Sequence, residues 1–167
     1  QMLLKTNDLG KTWTEASPDL TRNEKSKQGK PGVPYTNEAV GAENYGTISY
    51  VVESPQDKGV IWVGSDDGLV HLTTDGGKTW KDVTPPALKS WDKISQLDAG
   101  HFDANTAYLS VNAIRKDDMK PHIYRTHDGG GTWKEITQGM HDVGPVNVVR
   151  EDPKQPGLLF AGTEREV

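Results

Sequence analysis

Thr73-Thr74-Asp75-Gly76-Gly77-Lys78-Thr79-Trp80 decides how this chain is read. The pattern Thr-x-Asp-x-Gly-x-Thr-Trp returns as Thr6-Asn7-Asp8-Leu9-Gly10-Lys11-Thr12-Trp13 and as Thr126-His127-Asp128-Gly129-Gly130-Gly131-Thr132-Trp133. The same positions recurring in three places mark an internal repeat. A short acidic side chain readily accepts backbone N–H bonds inside a tight turn. The glycine two positions later (Gly10, Gly77, Gly130) tolerates φ > 0. The tryptophan offers a large area for burial between neighbouring sheets. Thr6, Thr73 and Thr126 supply hydroxyls that tie the turn further. Asp8, Asp75 and Asp128 therefore read as turn locks, in preference to acids, bases or metal ligands, because chemistry seldom needs one residue in every repeat. Trp13, Trp80 and Trp133 read as core by position.

The similarity extends outward. Leu3-Leu4-Lys5, Val70-His71-Leu72 and Ile123-Tyr124-Arg125 each lead into the motif as short strands. Glu53-Ser54-Pro55 and Gly59 through Gly64 match Glu151-Asp152-Pro153 and Gly157 through Gly162, a constant 98 residues apart. Each unit reads as four strands, roughly 47–53, 59–64, 69–74 and 78–83 in one and 94–101, 106–112, 121–127 and 131–136 in the next. Short strands in fours at this period predict an all-β fold, a β-propeller of four-stranded antiparallel blades. Residues 1–14 supply a half blade (strands three and four), 15–46 a long crossover, 47–84 a blade, 85–93 a crossover, 94–137 a blade, and 145–167 a half blade (strands one and two). Both ends fall at one point of the repeat, between strands two and three. The expectation is a fragment of a larger propeller, or a piece that completes its split blade with a second copy, giving six blades in a dimer.

Composition narrows the function. The 167 residues carry a net charge of −5 with charges well mixed, which argues against nucleic-acid binding. No apolar run approaches the roughly 20 residues of a membrane span, and no signal peptide is visible. Cysteine is absent, so disulfides and thiolate chemistry are excluded. His71, His101, His122, His127 and His141 form no metal-ligand spacing, and neither a phosphate-binding glycine loop nor a Gly-x-Ser-x-Gly elbow occurs. No metal or cofactor is expected.

The motif resembles the Asp-box, or BNR repeat, of sialidases, xyloglucanase-type glycosidases, the sortilin luminal propeller and the photosystem II assembly propeller. Tyr45-Gly46-Thr47-Ile48, the run Gly64-Ser65-Asp66-Asp67-Gly68-Leu69-Val70-His71 and Trp80 are most similar to large exported bacterial proteins related to sortilin, often labelled glycosyl hydrolase. Only about residues 17–44 lack a repeat counterpart. The resemblance implies a multi-bladed propeller and a secreted or periplasmic location; the motif marks the fold and leaves the chemistry open. Arg22, Arg115, Arg125, Arg150 and Arg165 match no sialidase arginine triad, and the two opposed aspartates of xyloglucanases have no clear counterpart.

Function is sought on the face that gathers the crossovers and the strand two-to-three hairpins, because the long connections fall there. Asp66 and Asp67, in a hairpin before Gly68, read as a turn or as carboxylates on the working face; Asp117 and Asp118 in the next unit are the second source a glycosidase pair would need. Arg115 holds an anionic group or solvates its loop, and Trp91 stacks on a sugar or anchors its loop. Tyr35, with Asn37 and Glu38, equips the first crossover, which reads as a mobile loop or as a ligand arm. The leading expectation is a non-catalytic binding segment for a peptide, protein or glycan, held on this face or in the central channel. The alternative is a glycoside hydrolase, xyloglucanase-like or sialidase-like, with a site spanning several blades.

Overall fold

A computed structural model describes residues 1–28, 45–141 and 143–165. Among these residues the structure is all-β apart from single 3-10 turns at Lys25–Lys27 and Ile114–Lys116. Twelve strands run in chain order: β1 (Leu4–Lys5), β2 (Thr14–Glu15), β3 (Ile48–Glu53), β4 (Ile61–Ser65), β5 (Val70–Thr73), β6 (Lys81–Asp82), β7 (Lys93–Ala99), β8 (Ala107–Asn112), β9 (His122–Thr126), β10 (Lys134–Glu135), β11 (Val146–Glu151) and β12 (Leu159–Thr163). They form two four-stranded antiparallel sheets, β3-β4-β5-β6 and β7-β8-β9-β10, and two pairs, β1-β2 and β11-β12. These are the two blades and two half blades expected from the repeat.

The repeated turn explains why the fourth strands are so short. In each copy the Asp carboxylate intercepts N–H groups that a ladder would use. Asp75 accepts the Thr73 hydroxyl at 2.8 Å, the Thr79 N–H at 2.9 Å and the Thr79 hydroxyl at 2.6 Å. The Thr73 hydroxyl in turn accepts the Gly77 N–H at 3.0 Å. Asp8 and Asp128 repeat the pattern. The turn thus extends through its tryptophan, and pairing resumes only at Lys81 and Lys134.

Blades join through those tryptophans. The Trp80 indole donates to Ala16 C=O of the first half blade at 3.0 Å, and the Trp133 indole donates to Val83 C=O of the preceding blade at 2.7 Å. Trp133 lies edge-on to Trp62, which is fully buried, with Val60, Leu72, Ile94, Leu97 and Leu109 in the same core. Gly64 lets blades approach, since a Cβ there would stand 2.5 Å from Ile94 Cγ2. Trp13 departs from its expected core role: it is 58% exposed, because no described blade lies on its side.

In the two whole blades the repeated turn lies beside the strand one-to-two turn of its own blade, through Gly76 N–H to Gly59 C=O at 3.0 Å and Gly129 N–H to Asn105 C=O at 2.9 Å. The strand two-to-three hairpins and the crossovers collect at the opposite face. β3, β7 and β11, the first strands of three successive units, pack side by side. Among the described residues no helix is long and apolar enough to cross a membrane.

Candidate functional site

The crossover face carries a continuous polar and aromatic cluster. At its base, Asp66 and Asp67 open the β4–β5 hairpin. Asp66 is 4% exposed and exchanges bonds with Thr47: its backbone N–H donates to Thr47 C=O at 2.9 Å, and its carboxylate accepts the Thr47 N–H at 2.7 Å. Asp67 is wholly buried. It accepts the Ser65 hydroxyl at 2.5 Å and the Arg22 N–H at 2.7 Å, while the Arg22 side chain donates to the Asp67 C=O at 2.8 Å. Burial pushes the Asp67 carboxyl up, opposed by those hydrogen bonds and aided by the neighbouring Asp66 charge. Gly68 is obligatory here, with φ +82 and a would-be Cβ only 2.4 Å from Lys89 C=O. The two carboxylates therefore lock the hairpin to the first crossover.

A second lock holds the 85–93 crossover. Asp92, 3% exposed, accepts the Lys89 N–H at 2.7 Å and pairs with the Lys116 ammonium at 2.5 Å. Trp91 beside it adopts φ +73, a left-handed conformation that is rare for a bulky side chain. Its ring lies 4.3 Å from the Tyr45 ring centroid at 45°, with the Arg115 guanidinium 5.5 Å away on its face. Arg115 also approaches Asp66 at 3.8 Å, so hairpins of neighbouring blades meet. On the other side Lys27 stands 5.7 Å over Tyr45. Tyr45 donates its hydroxyl to Glu24, which also receives Ser90 at 2.8 Å and Lys27 at 2.8 and 2.9 Å. The Lys27 and Tyr45 bonds hold Glu24 down at about 2, and burial with Glu24 pushes the Tyr45 phenol up.

Asp117 and Asp118 stand apart from this stack. Asp117 is exposed and closes the 3-10 turn in a left-handed conformation, φ 61. Asp118 accepts the Lys120 N–H at 3.0 Å and faces His122 Nε2 at 3.0 Å, while His122 Nδ1 meets Glu135 at 2.8 Å. Burial pushes Asp118 up, but the Lys120 and His122 bonds outweigh it and leave it below the usual range. Of the sequence candidates, the fold brings Asp66, Arg115 and Trp91 together. Tyr35, Asn37 and Glu38 lie outside the described residues.

Sequence reasoning passed over Tyr45, Glu24, Lys27, Arg22 and Asp92 as site residues; Glu24–Lys27 and Lys89–Asp92 are local pairs, but what joins them into one cluster, Tyr45 to Glu24, Ser90 to Glu24, Arg22 to Asp67 and Lys116 to Asp92, spans about twenty residues or more. It also passed over a group on the first strands. Arg150 on β11 pairs with Asp98 on β7 at 2.5 Å and donates to the Tyr50 hydroxyl on β3 at 2.8 Å. Asp98 accepts the Glu151 N–H as well. This group ties three successive units. Among the described residues no three His, Asp or Glu side chains gather as metal ligands would.

No family model matches the chain. A probable oligoxyloglucan-reducing end-specific xyloglucanase of Neosartorya fischeri is 28% identical over 181 aligned positions, 94% of this chain and 22% of that protein. The vacuolar protein sorting/targeting protein 10 of Candida dubliniensis is 24% identical over 182 positions, 99% of this chain and 11% of that protein. The solved GH74 enzyme of Niastella koreensis superposes with a TM-score of 0.60 at 21% identity, over 92% of this chain and 20% of that one, a likeness of fold. The chain thus spans less than a quarter of the length of these relatives. It is a β-propeller segment related to xyloglucanases and to a vacuolar sorting protein.

Proposed function

We propose that this chain is a non-catalytic, ligand-binding segment of a larger exported propeller, and that the Tyr45–Trp91–Arg115 stack on its crossover face receives a glycan chain. Trp91 carries the reading. A half-buried tryptophan held at φ +73 is a strained residue kept in place by its surroundings, and such strain gathers at ligand clamps. The ring presents apolar area on which a sugar face packs. Arg115, over the ring face, carries N–H groups suited to sugar hydroxyls. The xyloglucanase relatives suggest the ligand class. Titration calorimetry with xyloglucan oligosaccharides tests it. Binding is expected, and Trp91→Gly is expected to weaken it about tenfold or more, the loss of one good aromatic contact. Glycine also relieves the positive φ, which offsets part of the packing lost against Tyr45, so the variant should stay folded with a lowered melting temperature and binding is compared well below it. No heat of binding in the parent, or equal binding in Trp91→Gly, overturns the reading.

A second reading, a glycoside hydrolase, is favoured by the meeting of the Asp66 and Asp118 hairpins through Arg115. Against it, Asp66 and Asp67 are buried and spent on the backbone, leaving Asp118 as the better-placed carboxylate. Release of reducing sugar from xyloglucan that vanishes in Asp118→Asn would establish it over the binding reading.

A further inference from the structure

His122 sits between two carboxylates. Its Nε2 lies 3.0 Å from Asp118 Oδ2 in the β8–β9 hairpin, and its Nδ1 lies 2.8 Å from Glu135 Oε1 on β10. An ionised carboxylate only accepts, and a neutral imidazole carries a single N–H. Both contacts are hydrogen bonds only when the ring is the imidazolium, which donates from both nitrogens.

The group belongs to a whole blade and faces the blade before it. Tyr124, two residues on and so on the same side of β9, packs in the core shared with Val60 and Trp62. The hairpin brings Asp118, Lys116 and Lys120 to this side, β10 brings Glu135, and β8 sets uncharged Val111 opposite His122. The 85–93 crossover brings Asp92, paired with Lys116 at 2.5 Å. Arg125 and Lys134 pair on the other side of the sheet. Burial first, then the charges of Glu135, Asp92 and Asp118, push the Tyr124 phenol up to about 12. Against burial, the Lys120 N–H and His122 keep the Asp118 carboxyl below the usual range, so it stays ionised wherever histidine titrates.

The hairpin that His122 ties has two limbs. It leaves β8 at buried Ala113, makes the Ile114–Lys116 turn and reverses at Asp117, whose φ of 61 is left-handed. The first limb reaches the preceding blade: Arg115 stands 5.5 Å over the Trp91 ring and 3.8 Å from Asp66, and Lys116 holds Asp92. The second limb is fixed through Asp118. Its N–H donates to Ala113 C=O at 3.4 Å, and its carboxylate takes the Lys120 N–H at 3.0 Å on one oxygen and His122 on the other. The imidazole therefore joins β10 and β9 to the loop that presents Arg115.

We propose that His122 is a positioning residue for the Trp91 site: as the imidazolium it clamps the 113–120 hairpin, and with it Arg115 over the indole, and on losing a proton to solvent it loosens that clamp. The inference rests on the glycan-binding reading of the stack. Either tautomer of the neutral ring weakens the hold. With the proton on Nε2, the bond to Asp118 drops from charge-assisted to neutral and Glu135 is released. With the proton on Nδ1, Asp118 faces a lone pair. The clamp is complete below histidine's titration and lost above it, so the ligand should be held more tightly on the acid side.

Nitrogen NMR on the ligand-free chain tests the clamp. Between about pH 5 and 8 the His122 ring should titrate, with both nitrogens protonated at the acid end. The Lys120 N–H and Arg115 Nε signals should shift with the same midpoint, and in His122→Gln, which cannot titrate, those shifts should vanish. Calorimetry with xyloglucan oligosaccharides reads the consequence. Affinity should fall about three- to fivefold across that range, the step from a charge-assisted to a neutral bond. In His122→Gln it should stay flat, near the parent's value at the alkaline end. A merely structural histidine would lower both ends of the profile alike. Hairpin signals that ignore the titration of His122, or a pH dependence that survives in His122→Gln, overturn the proposal. The parent spectra decide it even where the variant does not fold. Absence of glycan binding at every pH overturns the binding reading instead, and the ligand-free spectra decide the clamp separately.

Discussion

The carboxylates of Asp8 and Asp128 are each held down at about 2 from the usual 3.8, chiefly by the hydroxyl and N–H of Thr12 and Thr132; Asp75 is held lower still by Thr79. A carboxyl whose folded value lies below its unfolded one adds stability above the unfolded value and loses it as pH falls to the folded one. Stability should therefore decline between about pH 4 and about pH 2. With Asp8, Asp75 and Asp128 all changed to Asn, urea melts should show lower stability at neutral pH and a shallower decline across that window. Glu24, also held at about 2, leaves a residual slope. Asp67 belongs to the same scale and behaves differently, because burial raises it. Removing it as Asp67→Ala strands the part-buried Arg22 N–H, while the Ser65 hydroxyl keeps Leu69 C=O at 3.3 Å, at about 1–3 kcal/mol in urea unfolding. The turn locks were legible because the motif repeats; the Asp67–Arg22 lock spans 45 residues and left no local mark.

At the scale of the element, each blade is a twisted sheet whose fourth strand is cut short by the turn before it. The turn does two jobs: it reverses the chain, and it aims an indole at the preceding blade. The two contributions separate by mutation. Trp133→Phe removes the bond to Val83 C=O and keeps most of the packing against Trp62, at about 1 kcal/mol. Trp133→Ala removes both and should cost about 3–5 kcal/mol, read as a lower denaturation midpoint. The recurrence of the motif, β-branched and aromatic content and turn residues located these strands. The fourth ones are shorter than their apolar content suggested, because Thr79 and Thr132 give their N–H groups to side chains instead of a ladder.

Across the whole molecule, units are held by bonds that skip along the chain. Arg150 reaches Asp98 in the next unit and Tyr50 one unit further. Asp98 is 2% exposed and keeps the Glu151 N–H when Arg150 is lost, while Arg150 is itself half in solvent. Arg150→Ala should therefore destabilise by about 1–3 kcal/mol, below the 3–5 expected of a fully buried pair, and chemical denaturation measures it. By itself the sequence determined the all-β class, the propeller repeat, the turn locks and the face on which long connections gather. Each of these rests on spacing within a few residues or on recurrence of one motif. The tertiary structure alone decided that Trp91 meets Tyr45 and Arg115, that Asp66 and Asp67 are buried, that Arg150 bridges three units and that Trp13 is uncovered. Those contacts join residues brought together by the stacking of blades, and packing between sheets is set by shape and burial that no local pattern encodes.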